Sequence, residues 1–282
     1  MKQAQAKKRK SIIPGFGMSM GVTVAMLSLI ILIPLASVLA YSFRLSAGEF
    51  AELMTRPNVV QSFVTSIGCA LFAAVINCVF GVILAWVLVR YEFPGKRLMD
   101  GMIELPFALP TAVAGITLTK MYSDSGVLGR AFESIGIEIA YTKTGIVIAM
   151  IFIGIPFVVR AIQPVLETLS PSYEEAAYML GASRLTAFWK IIFPEIRPAL
   201  LTGFGLALAR GIGEYGSVIY ISGNSEKNGT QVVSYIIMQK LNSGNVDYEG
   251  AAAIALVLLV ISFIMLFLIN IIQHVASRRT NA

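Results

Sequence analysis

Residues 174–194 read EEAAYMLGASRLTAFWKIIFP: two adjacent carboxylates open a compact amphipathic unit that stands between two long apolar runs. The setting makes it conspicuous, because 56% of the 282 residues are hydrophobic and only 13% are charged. Mean hydropathy is +0.76. A polar unit in so apolar a chain has to leave the bilayer, and something outside the membrane must read it.

Outward from this unit the apolar residues collect into runs too long for the core helices of a soluble domain. Six candidate spans fall at roughly 15–42, 63–90, 102–122, 144–165, 198–222 and 250–274. Each is near or above the ~20 residues that a ~30 Å hydrocarbon layer requires. The runs are continuous rather than alternating, which excludes a closed β-barrel. The expected architecture is an all-α membrane protein with six transmembrane helices over 15–274, a basic N-terminal segment 1–14 and a tail 275–282. The first run follows KKRKS and contains Val38-Leu39-Ala40, a loose likeness to a signal-peptidase site. From Phe16 to Ala40 it exceeds the ~7 to 15 residues of a secretory signal core, so it is read as a retained anchor.

Basic residues orient the chain. With the N-terminus inside, fourteen Lys and Arg fall in cytoplasmic segments and seven in external ones, and Arg210 within a span completes the 22. This bias puts both termini in the cytoplasm, N-in/C-in. The net charge of +6 therefore reports topology, and no nucleic-acid partner is inferred from it. Cys69 and Cys78 lie nine residues apart in one span, on opposite helix faces ~13 Å apart, which predicts neither a disulfide nor a metal pair. His274, the single histidine, falls at the last membrane edge as an interfacial residue.

Cytoplasmic loops are expected at 91–101 and 166–197, and external loops at 43–62, 123–143 and 223–249. None is large enough for an independent core, so energy and captured substrate must come from other polypeptides. No repeat relates the two halves, which weighs against a self-contained secondary transporter. In SEKNGT (225–230) the Asn-Gly pair reads as a turn in preference to the Asn228-to-Thr230 glycosylation pattern.

Within the opening unit, Ser170 or Ser172 can cap a helix, Pro171 suits its first turn, and Glu174 and Glu175 favour its positive end. Ser172 and Glu175 also match a capping box. Gly181 should close this helix in a left-handed conformation, and Ser183 should cap a second helix that Pro194 ends. On the second helix Leu185, Phe188, Trp189 and Ile192 form one apolar stripe, with Arg184 and Lys190 away from its centre. The stripe rests either on the membrane surface or its own bundle, or in a groove of a cytoplasmic protein. In the second case Glu175 is offered to a basic partner and Gly181 permits close backbone approach.

The run Glu175-Ala176-Ala177, Gly181 four residues after Ala177, and then Ile191 and Pro194 resemble the EAA loop of bacterial ABC importer permeases. Phe193 stands where that family usually has Leu before the proline. RYEFPGKRLMD (90–100), LPFALPTAVAG (105–115), IPFVVRAIQPVLE (155–167) and ARGIGEYGSVIYISGN (209–224) are similar to sulfate/thiosulfate permeases of the CysT type, with molybdate permeases as close relatives. The resemblance runs nearly end to end. It implies a type I ABC importer permease fold, MetI/ModB-like, whose coupling loop 170–194 docks into an ATPase subunit through Glu175, Ala176, Ala177, Gly181, Ile191 and Pro194. The implied partners are a homologous second permease (CysW type), two ATPase subunits (CysA type) and an extracytoplasmic sulfate/thiosulfate-binding protein, assembled on the lipid bilayer of a bacterial cytoplasmic membrane. This chain would bind no cofactor, with ATP and Mg held by the partner ATPase.

GIGEYG (211–216) matches a dinucleotide fingerprint but is a decoy, since no strand precedes it and it lies within an apolar span. The only Gly-Lys pair, Gly95-Lys96, lacks the rest of a nucleotide-binding loop, so the chain cannot be its own ATPase. Counted from Pro198, Arg210 lies ~18 Å along the fifth span, near mid-membrane, with Glu214 one turn beyond. Charges at that depth need partners and face a bundle interior or a wet cavity. Two readings stand: an Arg210–Glu214 pair that locks helices together, or a translocation pathway that Arg210, Gly213, Glu214 and Ser217 line from one face. In the third span Pro106 and Pro110 free backbone carbonyls, which either make a packing kink or place Thr111 and Thr117 against substrate. Arg160 is read as a snorkelling anchor. A secondary transporter or channel would fit six helices but leaves the EAA spacing unexplained. An intramembrane enzyme is disfavoured by the position of His274 and the lack of any metal-ligand cluster.

Overall fold

The computed structural model describes residues 15–280, with side chains as far as His274. The basic segment 1–14 and the side chains of Arg278 and Arg279 lie outside the described residues. Among the described residues five helices are long and apolar enough to cross a membrane: α1 (Phe16–Ser42), α3 (Pro57–Arg90), α7 (Lys143–Thr168), α9 (Arg184–Ile212) and α12, whose candidate span is Tyr248–His274. A sixth crossing is split between α4 (Lys96–Ala108) and α5 (Thr111–Tyr122), bent by 114°. Short helices complete the chain: α2 (Ala47–Thr55), α6 (Val127–Glu133), α8 (Ser172–Met179), α10 (Val218–Ile221) and α11 (Val233–Asn242). All regular elements among the described residues are helical.

Helices α3, α7 and α9 pack on one another as the centre of the bundle. Lipid tails are as apolar as leucine, so close van der Waals fit rather than water exclusion holds such helices together, and small residues make that fit possible. Ala70, Ala73 and Ala74 on α3, Ala149 on α7 and Ala207 on α9 are all buried. At Gly203 of α9 a Cβ would stand 2.8 Å from Val158 Cα of α7, and at Gly211 it would stand 3.1 Å from Ala70 of α3. Helix α12 lies against α9, α11 and the second half of α1, while no residue of Phe16–Leu32 is buried.

Two expected spans differ from the observed helices. The third, expected as one helix over 102–122, breaks where Leu109 (φ −91°, ψ 135°) and Pro110 (φ −56°, ψ 130°) are both extended. Proline disfavours helical backbone in the residue before it, so the chain turns sharply instead of kinking. The fifth, expected over 198–222, stops at Ile212, leaves 213–217 irregular and resumes only as the single turn of α10. The end expected at Pro194 is also absent, because α9 runs through it from Arg184. Residues Phe188–Ile192 form a π turn in which the Phe193 N–H reaches the Phe188 carbonyl, and the widened backbone accommodates the proline that follows. Ser28–Leu32 does the same just before Pro34 in α1.

Loops are shorter than expected. Helix α3 begins at Pro57 rather than 63, and α4 begins at Lys96, so only 91–95 link them. At the opposite end of the bundle Ser46 and Glu49 cap α2 reciprocally, and the Ser46 hydrogen bonds hold the Glu49 carboxyl below its usual range. Asp247 precedes α12 and accepts from Lys240 Nζ (2.6 Å) and the Gly250 N–H (2.7 Å). Burial pushes its carboxyl up, yet these contacts outweigh burial and leave it below the ordinary value. The turn at 225–230 forms as expected, with Gly229 at φ +61°.

The α7–α9 contact generates a stability prediction. Gly203→Leu should lower the unfolding midpoint of the detergent-solubilised protein by an overpacking cost of about 1–3 kcal/mol or more. Gly68→Ala, on an exposed helical site with no atom within 4 Å of its added Cβ, should leave the midpoint unchanged or slightly raised.

Candidate functional site

Two assemblies hold most of the site residues expected from the sequence, one at the end of the bundle that carries α8 and one where the helices break. The first is the 170–194 unit. Ser170 Oγ accepts the Ser172 N–H at 3.3 Å, and Pro171 already has helical angles, so Ser172 lies inside the helix and the expected Ser172–Glu175 capping box is replaced by a cap from Ser170. Gly181 (φ +81°) closes α8 as expected: its N–H bonds to Tyr178 O at 2.9 Å and that of Ala182 to Ala177 O at 3.0 Å. These two bonds make a Schellman closure, which a side chain at Gly181 would strain. Ser183 caps the next helix, accepting the Thr186 N–H at 3.2 Å.

The unit is fixed to the bundle on one side and bare on the other. Ala177, Ala187 and Ile192 are buried. Phe188 meets Trp86 of α3 edge-on, with ring centroids 5.7 Å apart. The apolar stripe expected on one face is therefore divided, since the π turn sends Phe188 and Ile192 inward while Leu185 and Trp189 remain 73% and 58% exposed. Met179 and Leu180, beside Gly181, are 88% and 89% exposed, and Glu175 and Ala176 are exposed with them. Ile191 and Pro194 are half-buried.

The two carboxylates that open the unit have different surroundings. Glu174 Oε1 stands 3.0 Å from Arg90 Nη2, with both side chains 14% exposed. The contact is one of charge rather than an aligned hydrogen bond, because the same Nη2 donates to the Leu169 carbonyl at 3.0 Å. The Arg90 guanidinium also lies 5.7 Å from the Trp86 ring centroid, within cation–π range. Glu174 thus anchors α8 to the end of α3 and leaves Glu175 outward. Sequence reasoning missed this anchor, which joins residues 84 positions apart through no local pattern.

The second assembly is the junction of the two helix breaks. Arg210, in the last turn of α9, forms an ion pair with Glu214 Oε2. Glu214 Oε1 accepts the Ser217 N–H at 2.9 Å and the Ser217 hydroxyl at 3.1 Å, while the Glu214 carbonyl accepts from Ser234 Oγ at 2.8 Å. Glu214 is 2% and Ser217 0% exposed, whereas the Arg210 side chain is 36% exposed. The carboxylate thus replaces helical backbone partners across the break and faces the positive start of α10, as the cation faces the negative end of α9. Helix α5 closes the other side: a Cβ at Gly216 would collide with Thr111 Oγ1, and one at Gly115 with the Ser217 backbone.

Of the expected pathway residues, Arg210, Glu214, Ser217 and Thr111 are brought together here. Gly213 is exposed beside the pair. Pro106 is buried within α4, Pro110 is exposed at the break, and Thr117 is exposed on α5. Glu214 does not lie one helical turn beyond Arg210, because α9 has already ended. Arg160 is not a lone snorkelling anchor, since it binds Asp100 and Glu104 of α4. The paired spacing of those acids on one helix face was the available signal. Among the described residues no cluster could hold a metal ion, and Cys69 and Cys78 are both free thiols.

The family described as binding-protein-dependent transport system inner membrane component matches residues 77–281. The sulfate transport system permease protein CysT of Salmonella typhimurium is 43% identical over 274 residues, 97% of this chain and 98% of that protein. Its counterpart from Synechococcus elongatus is 45% identical over 252 residues, 89% of this chain and 90% of the relative. Among solved structures, a bacterial ABC transporter involved in the import of the acidic polysaccharide alginate superposes with a TM-score of 0.76 at 15% identity, covering 92% of this chain and 96% of that one. An inward-facing MetNI methionine ABC transporter gives 0.59 at 15% identity, with 82% and 99% covered.

The Arg90 anchor is testable by a double-mutant cycle. Arg90→Gln and Glu174→Gln should each loosen α8, measured as faster proteolysis or hydrogen exchange over 172–187. The coupling between them should be about 1–2 kcal/mol. Glu175→Gln should leave exchange unchanged, because its side chain holds nothing within the chain.

Proposed function

The chain belongs to the family of binding-protein-dependent transport system inner membrane components, and from that premise we propose that it is the membrane-spanning permease subunit of an ABC importer that carries sulfate into the cytoplasm. The observation that carries the substrate is the near full-length identity to sulfate permeases. Thiosulfate, a tetrahedral dianion of similar size, is the expected second cargo. The family supports a transport subunit without catalysis of its own, so ATP and Mg belong to partner ATPases of the CysA type. A second permease of the CysW type and an extracytoplasmic sulfate-binding protein complete the assembly. The excess of basic residues on the α8 side supports both termini in the cytoplasm of a bacterial cell.

Under this reading the exposed face of the 170–194 unit is the coupling loop. Glu175, Ala176 and the Gly181 closure, with Met179, Leu180 and Leu185 beside them, present a rigid bare surface to the ATPase. The Glu174–Arg90 anchor and the uninterrupted α9 carry displacement of that surface into the bundle. At the junction, Arg210 has exposed donors while its charge is balanced by Glu214. A dianion meeting that pair finds hydrogen bonds without a net positive charge, which suits a path that passes sulfate on. Selectivity then lies with the binding protein.

Uptake of labelled sulfate in cells lacking their own importers should require co-expression of the ATPase, the second permease and the binding protein. Uptake by this chain alone would point to a channel or secondary transporter. Glu175→Lys or Gly181→Asp should leave membrane insertion intact and abolish uptake, and normal uptake in both would refute the docking role. Arg210→Ala and Glu214→Ala should each reduce uptake at least roughly tenfold, the effect of losing about 1.4 kcal/mol in the limiting step. Normal rates in correctly inserted variants would remove these residues from the pathway.

A further inference from the structure

Arg160 stands eight residues before the end of α7 at Thr168, ~12 Å along the axis. Helix α7 is 26 residues long, ~39 Å, and centring it on a ~30 Å hydrocarbon layer puts Arg160 ~7 Å inside the inner boundary. Its guanidinium is committed there. Nη1 donates to Asp100 Oδ1 at 2.8 Å and to Gln163 Oε1 at 2.6 Å, while Nη2 donates to Glu104 Oε1 at 2.7 Å and to the Asp100 carbonyl at 3.4 Å. These bonds use all four terminal hydrogens, and the remaining donor, Nε, is buried without a partner. Gln163 passes the network on to Glu167 Oε1 at 3.3 Å. One cation is thus surrounded by Asp100, Glu104 and, through the amide, Glu167.

The cluster is not sealed within this chain, since the Asp100 and Glu104 side chains are 39% and 58% exposed. Asp100 and Gln163 line an open cavity together with Glu92, and with Lys96 and Arg97 at the start of α4, so the open side of the cluster faces the polar inner end of the bundle, where acidic side chains at a membrane edge are tolerated. Helix α4, which carries both acids, continues through the Leu109–Pro110 break into α5, and α5 touches the Arg210–Glu214 junction. The cluster and the junction therefore stand on the two halves of one broken span. They differ in donors and in charge: Arg210 keeps exposed donors and meets one carboxylate, whereas Arg160 has no terminal donor left and meets two.

We propose that Asp100 and Glu104 keep the inner mouth of the anion path from holding its cargo. By occupying the terminal donors of Arg160 and leaving net negative charge around it, they let a tetrahedral oxyanion leave without binding. The proposal rests on the sulfate-importer reading above. A bare arginine at an exit would present a forked donor well suited to sulfate and would retain it. Two carboxylates spaced by four residues on one helix remove that trap and repel the departing dianion.

The complete transporter in liposomes provides the test, with uptake measured against increasing sulfate on the cytoplasmic side. The Asp100→Asn, Glu104→Gln double variant should be inhibited by cytoplasmic sulfate at roughly tenfold lower concentration than the unaltered protein, equivalent to ~1.4 kcal/mol of added retention. Glu104→Gln alone, at the more exposed acid, should shift in the same direction by a smaller factor. Adding Arg160→Gln to the double variant should return inhibition to the unaltered value. An unshifted inhibition constant in the double variant, or a triple variant as inhibited as the double, would overturn the proposal and leave the cluster as a brace between α4 and α7. An unaltered transporter that takes up no sulfate would overturn the importer reading and this proposal with it.

Discussion

In hydrocarbon every backbone N–H and C=O must find a partner within the protein, and a helix that stops inside a bundle exposes several of each. The structure has two such stops, at Leu109–Pro110 and at Gly213–Ser217, and it sets them against each other. Glu214 and Ser234 bond across the second break, and α5, leaving the first break, presses Thr111 and Gly115 onto the same backbone. The ion pair follows from this arrangement: Arg210 lies at the negative end of one helix and Glu214 at the positive start of the next. At the centre of the bundle α3, α7 and α9 pack through small residues, and the breaks bring buried polar groups into that packing.

The same economy governs the end of the bundle that carries α8. A short amphipathic unit on a membrane protein would ordinarily lie on the lipid surface. Here Glu174, Phe188 and Ile192 fix its inner face to α3 and the bundle, and the Gly181 closure sets the angle between its two helices. What remains outward is an apolar patch of Met179, Leu180, Leu185 and Trp189, with Glu175 at its start and the exposed Arg184 and Lys190 beside it. A surface braced in this way would pass displacement on to the bundle, as the proposed coupling role requires.

Much of this was legible in the chain. Long apolar runs announced the spans, and Gly181 four residues beyond Ala177 announced the helix closure. The exceptions have physical reasons. Continuous hydropathy over 102–122 concealed a 114° bend, because apolar residues look the same in a straight helix and a broken one. Pro194 looked like a terminus, but a wide turn before it removed the clash. Arg160 looked like an interfacial anchor because its partners, Asp100 and Glu104, are more than fifty positions away, and Arg90 likewise gave no local sign of Glu174. Pairings across a bundle are settled by packing, which periodicity in one segment cannot express.

The two π turns, before Pro34 and before Pro194, each insert one surplus residue into a helix that otherwise keeps its axis. A surplus residue rotates everything upstream by about a hundred degrees relative to everything downstream. In α9 this rotation separates the azimuth of the exposed Leu185 from that of the core helix it extends. The small residues facing α3 and α7 and the outward side chains upstream of the turn can therefore diverge independently, each obeying its own helical phase on one continuous rod.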